Sequence, residues 1–327
     1  MRDVRVYEFM LEAVTPIAHA EATFGNHSVV ARTKMRGADG QWSDVPIVSG
    51  DTMRHRLREA SAWTFLDAAG MLGDGALSEA SLRLLFNGGM VSGNGDGSAV
   101  RLDAYHAMTD LVPQLGLLGG CASNRVMPGR MDVDAALLVC DESRALVPPW
   151  IINTHGPTDT ARAHLQIVQR VRMDATLDPS KARLLGEVAS AKVKGRARKS
   201  EVASADGDAM ATHQAKSSTM PRTFETVAAG SRFAWRVEAR CASERDVDAL
   251  HTMLWGFLAA ATVGGKVGTG HGQLRLVEAR RVTMARTLTP ERESLDVAAF
   301  AGAVDRFRAH VVARASKASE WLRDVDA

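Results

Sequence analysis

The chain has 327 residues, 46% of them hydrophobic, enough for a buried core, so disorder throughout is excluded. A net charge of +2 is too mild to establish a nucleic-acid partner, so the local distribution of charge must decide. Cys121, Cys140 and Cys241 form no CxxC pair, which argues against a zinc site or a disulfide framework and fits a reducing, cytoplasmic setting.

The N-terminal stretch, MRDVRVYEFM, has no signal-peptide core. Val4 to Val14 mixes alternation with an apolar run and predicts a long first strand that bends near Pro16. Thr23 to Pro46 is polar, carries Arg32, Lys34 and Arg36, and reads as a loop over a sheet face. After the strand end Pro46-Ile47-Val48, the residues Ser49, Asp51 and Thr52 are all competent N-caps. They open a helix over Thr52–Ala69, in which Met53, Leu57, Ala60, Trp63, Phe65 and Leu66 recur at helical spacing. Arg54, Arg56 and Arg58 fall in its first two turns, where cations oppose the helix dipole and a nearby negative group would compensate. Arg54 and Arg58 share a face, so Arg56 is the one expected to meet solvent or another subunit.

A short helix is predicted over Leu77–Phe86, followed by the glycine-rich Asn87–Ser98, which lacks the closing Glu of a calcium loop. Leu102–Leu118 reads as helix interrupted at Pro113, Asn124–Arg130 as a basic turn, and Val133–Cys140 as a strand. Pro148-Pro149 breaks the chain, and Ala163–Met173 alternates as another strand. From Ala175 to Arg222 large apolar residues become scarce. The densest part, Lys192 to Lys199 (KVKGRARK), holds five cations in eight residues. It reads either as a solvated loop or as a segment ordered by an anionic partner.

Phe224–Cys241 predicts a strand pair, with Phe233, Trp235, Val237 and Ala239 on one face. A helix over Asp246–Val263 then meets Gly264, Gly265, Gly268, Gly270 and Gly272, five glycines in nine residues, before the alternating run from Gln273 to Val277. Two readings stand for this loop: a tight connection between helix and strand, or backbone that lets an anion come close, with Lys266 and His271 as donors. GxxxxGK[ST] is absent, so a nucleotide-hydrolase loop is excluded. No His/Cys/Asp cluster has metal-ligand spacing, and no cofactor is expected. The longest apolar run, Trp255 to Val263, is too short to span a membrane. Thr287–Pro290 reads as a linker before an amphipathic helix over Glu291–Val325, with Phe300, Val304, Phe307, Val311 and Ala315 on one face.

Three segments carry a resemblance: Pro46–Arg58 with its Ser-Gly-Asp-Thr helix start, Glu225–Val237 (ETVAAGSRFAWRV), and the helix followed by GGKVGTGHGQLRL. In this order the chain resembles the RAMP superfamily of CRISPR-associated proteins, and most of all the backbone subunit of type IV CRISPR effector complexes. The resemblance implies an α+β fold: a modified RRM-like (ferredoxin-like) palm over residues 1–285, with helical finger insertions and a protruding β-hairpin thumb. The fingers would fall at about 72–130, the thumb at about 175–222, and a C-terminal helix over 286–327 lies outside the resemblance. The implied palm strands are Val4–Val14, Val133–Cys140, Ala163–Met173 and Phe233–Ala239. The implied partners are guide RNA (crRNA), further copies in a helical filament, a large subunit, an end-capping RAMP subunit and complementary target nucleic acid.

The residues agree on one point. With two tyrosines in the chain, and Phe233 and Trp235 reading as core, no base-stacking platform is expected. Grip on the phosphate–ribose backbone leaves base edges free for pairing. The expected RNA contacts are Arg54, Arg56, Arg58, Lys192, Lys194, Arg196, Arg198, Lys199, Gly264, Gly265, Lys266 and His271, with Asn26, His27 and Arg32 as further candidates. The alternative is a RAMP-type endoribonuclease that cleaves target or processes guide precursor. Against cleavage, Phe24–Arg32, which corresponds to the loop where some relatives carry a catalytic aspartate, has no Asp or Glu. For processing, His19, His27, His55 and His271 are available as bases.

Overall fold

The computed structural model of the chain describes residues 3–37, 40–73, 75–89, 102–122, 125–172, 220–284 and 289–323. Alternation along β1 (Asp3–Ala13) puts Tyr7, Phe9 and Leu11 into one core and Met10 into a second, on the other face. Antiparallel partners flank β1 on both sides: β12 (Arg232–Cys241) and β13 (Leu274–Met284). The main sheet runs β14 (Pro290–Ser294), β13, β1, β12, β9 (Ala136–Leu138), β5 (Trp42–Val48) and β4 (Arg32–Arg36), with β8 (Met131–Val133) also on β12.

Helix α1 (Gly50–Ala68) follows the first arm of the sheet, and a second long helix (Glu244–Ala259) joins β12 to β13. The sequence β1, α1, β9, β12, helix, β13 with spatial order β13-β1-β12-β9 is the ferredoxin-like arrangement. The architecture is therefore α+β, with an RRM-like palm. Phe9 and Trp235 of the sheet and Phe257 of the second long helix pack in succession, with centroids 5.0 and 5.4 Å apart. Gly256 lets the two helices approach: a Cβ there would sit 3.1 Å from that of Ala60.

Between α1 and β8 the chain forms α2 (Glu79–Asn87), α3 (Leu102–Leu111), α4 (Pro113–Leu118) and a hairpin of β6 (Gly120–Ala122) and β7 (Arg125–Met127). Helix α5 (Pro149–His155) covers the other face of the sheet through Trp150, Ile151 and Ile152. The helix after β12 is α6; α7 (Ala301–Val312) packs on it, and α8 (Ala315–Arg323) follows. The C-terminal pair reaches back to the helices after α1. Ser81 donates to the Leu322 carbonyl, and Asp110 receives both Arg245 and Arg314.

Four expectations need correction. Thr23–Pro46 is not a loop: it holds β2 (Ala20–Phe24) from its last residues, β3 (His27–Val30), β4 and β5. Short polar strands joined by tight turns lack the apolar alternation that marks a strand. Ala163–Met173 gives a strand, β10 (Leu165–Arg172), but it lies in a separate four-stranded sheet of order β10-β11-β3-β2. β11 (Met220–Val227) and β12 are consecutive yet enter different sheets, because alternation fixes a strand's faces and not its partner. The segment from Glu291 begins as the edge strand β14, and a break at Ala313 divides the helix that follows. Two compact units result: Met1–Thr23, Ser28–Ile167 and Glu225–Ala327 form one, and Phe24–His27 with Val168–Phe224 the other. In the second unit Thr223 N donates to Asn26 O at 2.9 Å.

Tyr7 and His251 meet in the palm core, hydroxyl to Nε2, at 2.7 Å, and the imidazole stacks on Phe300 at 4.2 Å. Burial, with Arg5 adding to it, pushes His251 down to about 4, and burial pushes Tyr7 up to about 12. A histidine that protonates more readily unfolded than folded makes stability fall with acid. That contribution is complete above about pH 6.5 and is lost as pH drops toward 4. Urea midpoints should therefore fall over this window by the equivalent of about 1–2 kcal/mol, and His251→Phe should flatten the profile.

Candidate nucleic-acid interface

The Ser-Gly-Asp-Thr helix start has a distinct job for each of its first two residues. The Ser49 hydroxyl accepts the Thr52 N–H at 3.3 Å, capping α1. At Gly50 a Cβ would sit 2.7 Å from the Val133 carbonyl, so only glycine lets the helix begin this close to β8. Ser49 N also donates to His19 Nε2 at 3.1 Å, which ties the helix start to the segment after β1.

The arginines that follow divide by face. Arg54 and Arg58 do share one, but it is turned into the protein. Arg54 donates to the carbonyls of Met131 (2.8 Å) and Leu118. Arg58 is buried and donates to Gly119 (3.0 Å), Leu118 (3.3 Å) and Leu84 (3.4 Å). Burial, then the neighbouring charge of Arg54, pulls Arg58 down to about 10. The compensating negative group is therefore the carbonyl end of α4, whose last C=O groups have no partner within their own helix. This corrects the expectation that Arg54 and Arg58 face a phosphate. Arg56 points elsewhere, as its spacing requires, and pairs with Glu59 at 2.7 Å. It lines a groove of about 340 Å³ with Trp63, Thr64, Gly256, Ala260 and Thr262.

Arg32 is paired too: its guanidinium meets Glu225 at 2.7 Å, and the same carboxylate takes the Val30 N–H at 3.2 Å. Asn26 sits exposed at the β2–β3 turn, and His27 is half-buried beside it. Lys192, Lys194, Arg196, Arg198 and Lys199 lie outside the described residues.

The glycine loop divides into structural ends and an exposed crest. Gly265 N donates to Ala18 O at 2.7 Å and Gly272 N to Pro16 O at 3.0 Å. Gly264 has φ +72°, and a Cβ there would lie 2.7 Å from Ala18 O; one at Gly272 would collide with Val263 O. These glycines admit the chain's own backbone. Between them Gly265–Gly270 is exposed, and a Cβ at Gly268 or Gly270 would meet nothing within 4 Å. Lys266 stands on this crest in the left-handed region, φ +60°. The amides of Thr269, Gly270 and His271 turn inward to Lys266 O and Val267 O, so they do not form an open anion nest. His271 is only 7% exposed, its Nδ1 3.3 Å from Thr269 O, which corrects its expected place as a surface contact.

The palm thus brings together His19, Ser49 and Gly264–Gly265, all through Ala18 and His19. In the sequence His19 was visible only as one of several histidines, and nothing there marks its link to Ser49. Phe233 and Trp235 are buried beneath the helices, as their alternation implies. On the opposite face Trp150 donates to buried Glu8 at 2.6 Å, Arg292 grips both Glu8 oxygens at 2.7 and 3.0 Å, and Arg280 lies 4.5 Å over the indole. Among the described residues there is no group of three or more His, Cys, Asp or Glu able to hold a metal, and no helix long and apolar enough to cross a membrane.

No protein-family profile matches the chain, and no curated protein matches it. Among solved structures, one described as "Type IV-B CRISPR Complex" has a similar chain, with a TM-score of 0.52 and 19% identity. The match covers 89% of this chain and 96% of that one. The palm fold is therefore one that also occurs in a type IV CRISPR complex.

Arg58→Ala should cost about 2–4 kcal/mol in urea unfolding, since it strands buried carbonyls and opens a cavity. Arg56→Ala should stay within about 0.5 kcal/mol, as expected for a surface pair. Gly264→Ala should destabilise and Gly268→Ala should not.

Proposed function

We propose that the chain is a non-catalytic guide-RNA-binding backbone subunit of a type IV CRISPR effector complex. The observation that carries this reading is the fold match, which spans nearly the whole of both chains. The geometry supports it in two ways. The sheet face is closed by Trp150, Glu8 and Arg292, which leaves no platform for reading bases on it among the described residues. The exposed crest Gly265–Gly270 carries Lys266 beside glycines with no side chain to hinder approach, suited to a strand held by its phosphates. In this reading Arg56, Gly265, Lys266 and the Lys192–Lys199 run contact the RNA, Asn26 and His27 are further contacts, and Gly264 serves the chain's own backbone. Arg32, Arg54 and Arg58 support the palm from within. Further copies line up along the RNA as a filament, a large subunit and an end-capping RAMP subunit complete the complex in the cytoplasm, and complementary nucleic acid is the target.

The endoribonuclease alternative draws on less. His19 is engaged with Ser49, His271 is buried, and no carboxylate lies in Phe24–Arg32. An incubation with guide-complementary RNA separates the two readings, since regularly spaced fragments would show an enzyme.

Purified protein should carry RNA made of one repeat-derived handle and varied spacers. A nucleic-acid-free protein that ignores single-stranded RNA at low salt would sink the proposal. Neutralising Lys192, Lys194, Arg196 and Arg198 together should weaken binding equally for unrelated sequences. The slope of log K against log salt should shrink by about 0.7 for each phosphate no longer neutralised.

A further inference from the structure

The residue joining the two halves of this interface is His19. Its Nε2 accepts the Ser49 N–H at 3.1 Å, and its carbonyl accepts the Ala31 N–H at 2.8 Å. The adjoining Ala18 carbonyl takes the Gly265 N–H at 2.7 Å. A Cβ on Gly264 would stand 3.3 Å from the His19 Cα, so the glycine loop rests directly on this residue's backbone. One residue therefore touches the start of α1 through its ring, the lead into β4 through its carbonyl, and the glycine loop through its backbone.

We propose that His19 is a positioning residue for RNA: its neutral ring holds the start of α1 against the glycine crest and makes no phosphate contact itself. The inference rests on the RNA-binding reading above. The chemistry follows from the acceptor role. Nε2 accepts only while it carries no proton, so the tautomer has its hydrogen on Nδ1. Burial keeps the imidazole below the usual histidine range, against an upward pull from Glu21. Other charged or titratable groups on the surrounding elements include Asp51, Arg54 and His55 in the first turns of α1, Arg32, Lys34 and Arg36 on β4, and Lys266 and His271 in the loop. On protonation Nε2 becomes a donor facing the Ser49 N–H, and the tie breaks.

The sign of the effect separates this role from a direct one. A histidine that touches phosphate gains affinity when it is protonated, whereas a positioning histidine loses its grip. The test uses full-length protein and a labelled 30-residue oligouridylate, in wild type, His19→Ala and His19→Gln. Glutamine can place a non-titrating oxygen near the position of Nε2. At pH 7, His19→Ala should weaken binding about tenfold with an unchanged salt slope, and His19→Gln should restore it. Between pH 7 and pH 5, wild type should lose affinity relative to His19→Gln. Amide exchange without RNA gives a second readout: the Ser49 and Gly265 amides should exchange faster in His19→Ala than in His19→Gln. If His19→Ala does not fold, the comparison of wild type with His19→Gln across pH decides alone.

Equal binding by all three proteins at every pH would overturn the inference while leaving the RNA reading intact. Weaker binding by His19→Ala with a salt slope smaller by about 0.7, unrescued by glutamine, would overturn it in favour of a direct phosphate contact. Wild type that binds no oligouridylate would bring down the RNA reading and this inference with it.

Discussion

The backbone bridge between Ala18 and Gly265 is the contact on which the end of the palm beyond β1 depends. β1 leaves the centre of the sheet at Ala13, and within a few residues its chain must serve two elements. Pro16 O and Ala18 O take amides from the glycine loop, and the His19 ring takes one from α1. Each is a backbone group that would otherwise need water or another partner. The closeness required excludes side chains at Gly264 and at Gly272. Gly264 thus answers to the segment after the first strand and Gly272 to the neighbouring Val263, and the exposed crest is what the bridge leaves over. A loop fastened at both ends holds its middle in one place without filling it.

Electrostatics in α1 follows the same economy of partners. Arginines in the first turns of a helix face an unfavourable dipole, which a negative group should offset. The protein supplies no carboxylate to Arg58 among the described residues. It supplies the carbonyl end of another helix, where partial negative charge and unpaired acceptors coincide. The dipole of α4 therefore answers that of α1, and the guanidinium of Arg58 is the coupling between them. This fixes the helices after α1 to the rest of the fold, buries Arg58 and leaves Arg54 half-buried. A count of arginines near a helix start overstates the positive potential offered to a polyanion.

How much of this could be read beforehand depended on the kind of signal. Apolar period marked β1, α1, β12 and α6 within a few residues, because each buries one face of a shared core. The ferredoxin-like palm itself came from the resemblance, which placed three of its four strands correctly and assigned Ala163–Met173 to the wrong sheet. The strands from Ala20 to Arg36 stayed hidden because they are short and half-polar. Pairing was hidden for another reason: β11 and β12 look like a hairpin, and nothing local shows that they diverge into two sheets. At the site, spacing separated Arg56 correctly from Arg54 and Arg58, yet could not say which face was inward. Glycine count drew attention to this loop but not to the division of labour within it. The bond from Ser49 to His19 crosses thirty positions and leaves no mark on either residue's neighbours.

The closed sheet face completes the logic of the proposed function. In an RRM the face opposite the helices presents aromatic rings to bases. Here that face holds a buried carboxylate, Glu8, which would be untenable alone in an apolar layer. Arg292 and the Trp150 indole satisfy it, and Arg280 lies over the same indole. Removing α5 would take the Trp150 N–H from Glu8 and uncover the apolar layer of Met10, Val139 and Ala234, so the cover is part of the fold and not a lid. Under the proposed function, a strand of RNA is thereby directed away from the sheet face and toward the end of β1, where the backbone of the glycine crest and Lys266 are exposed. That is the geometry a guide needs if its bases are to remain available to a complement.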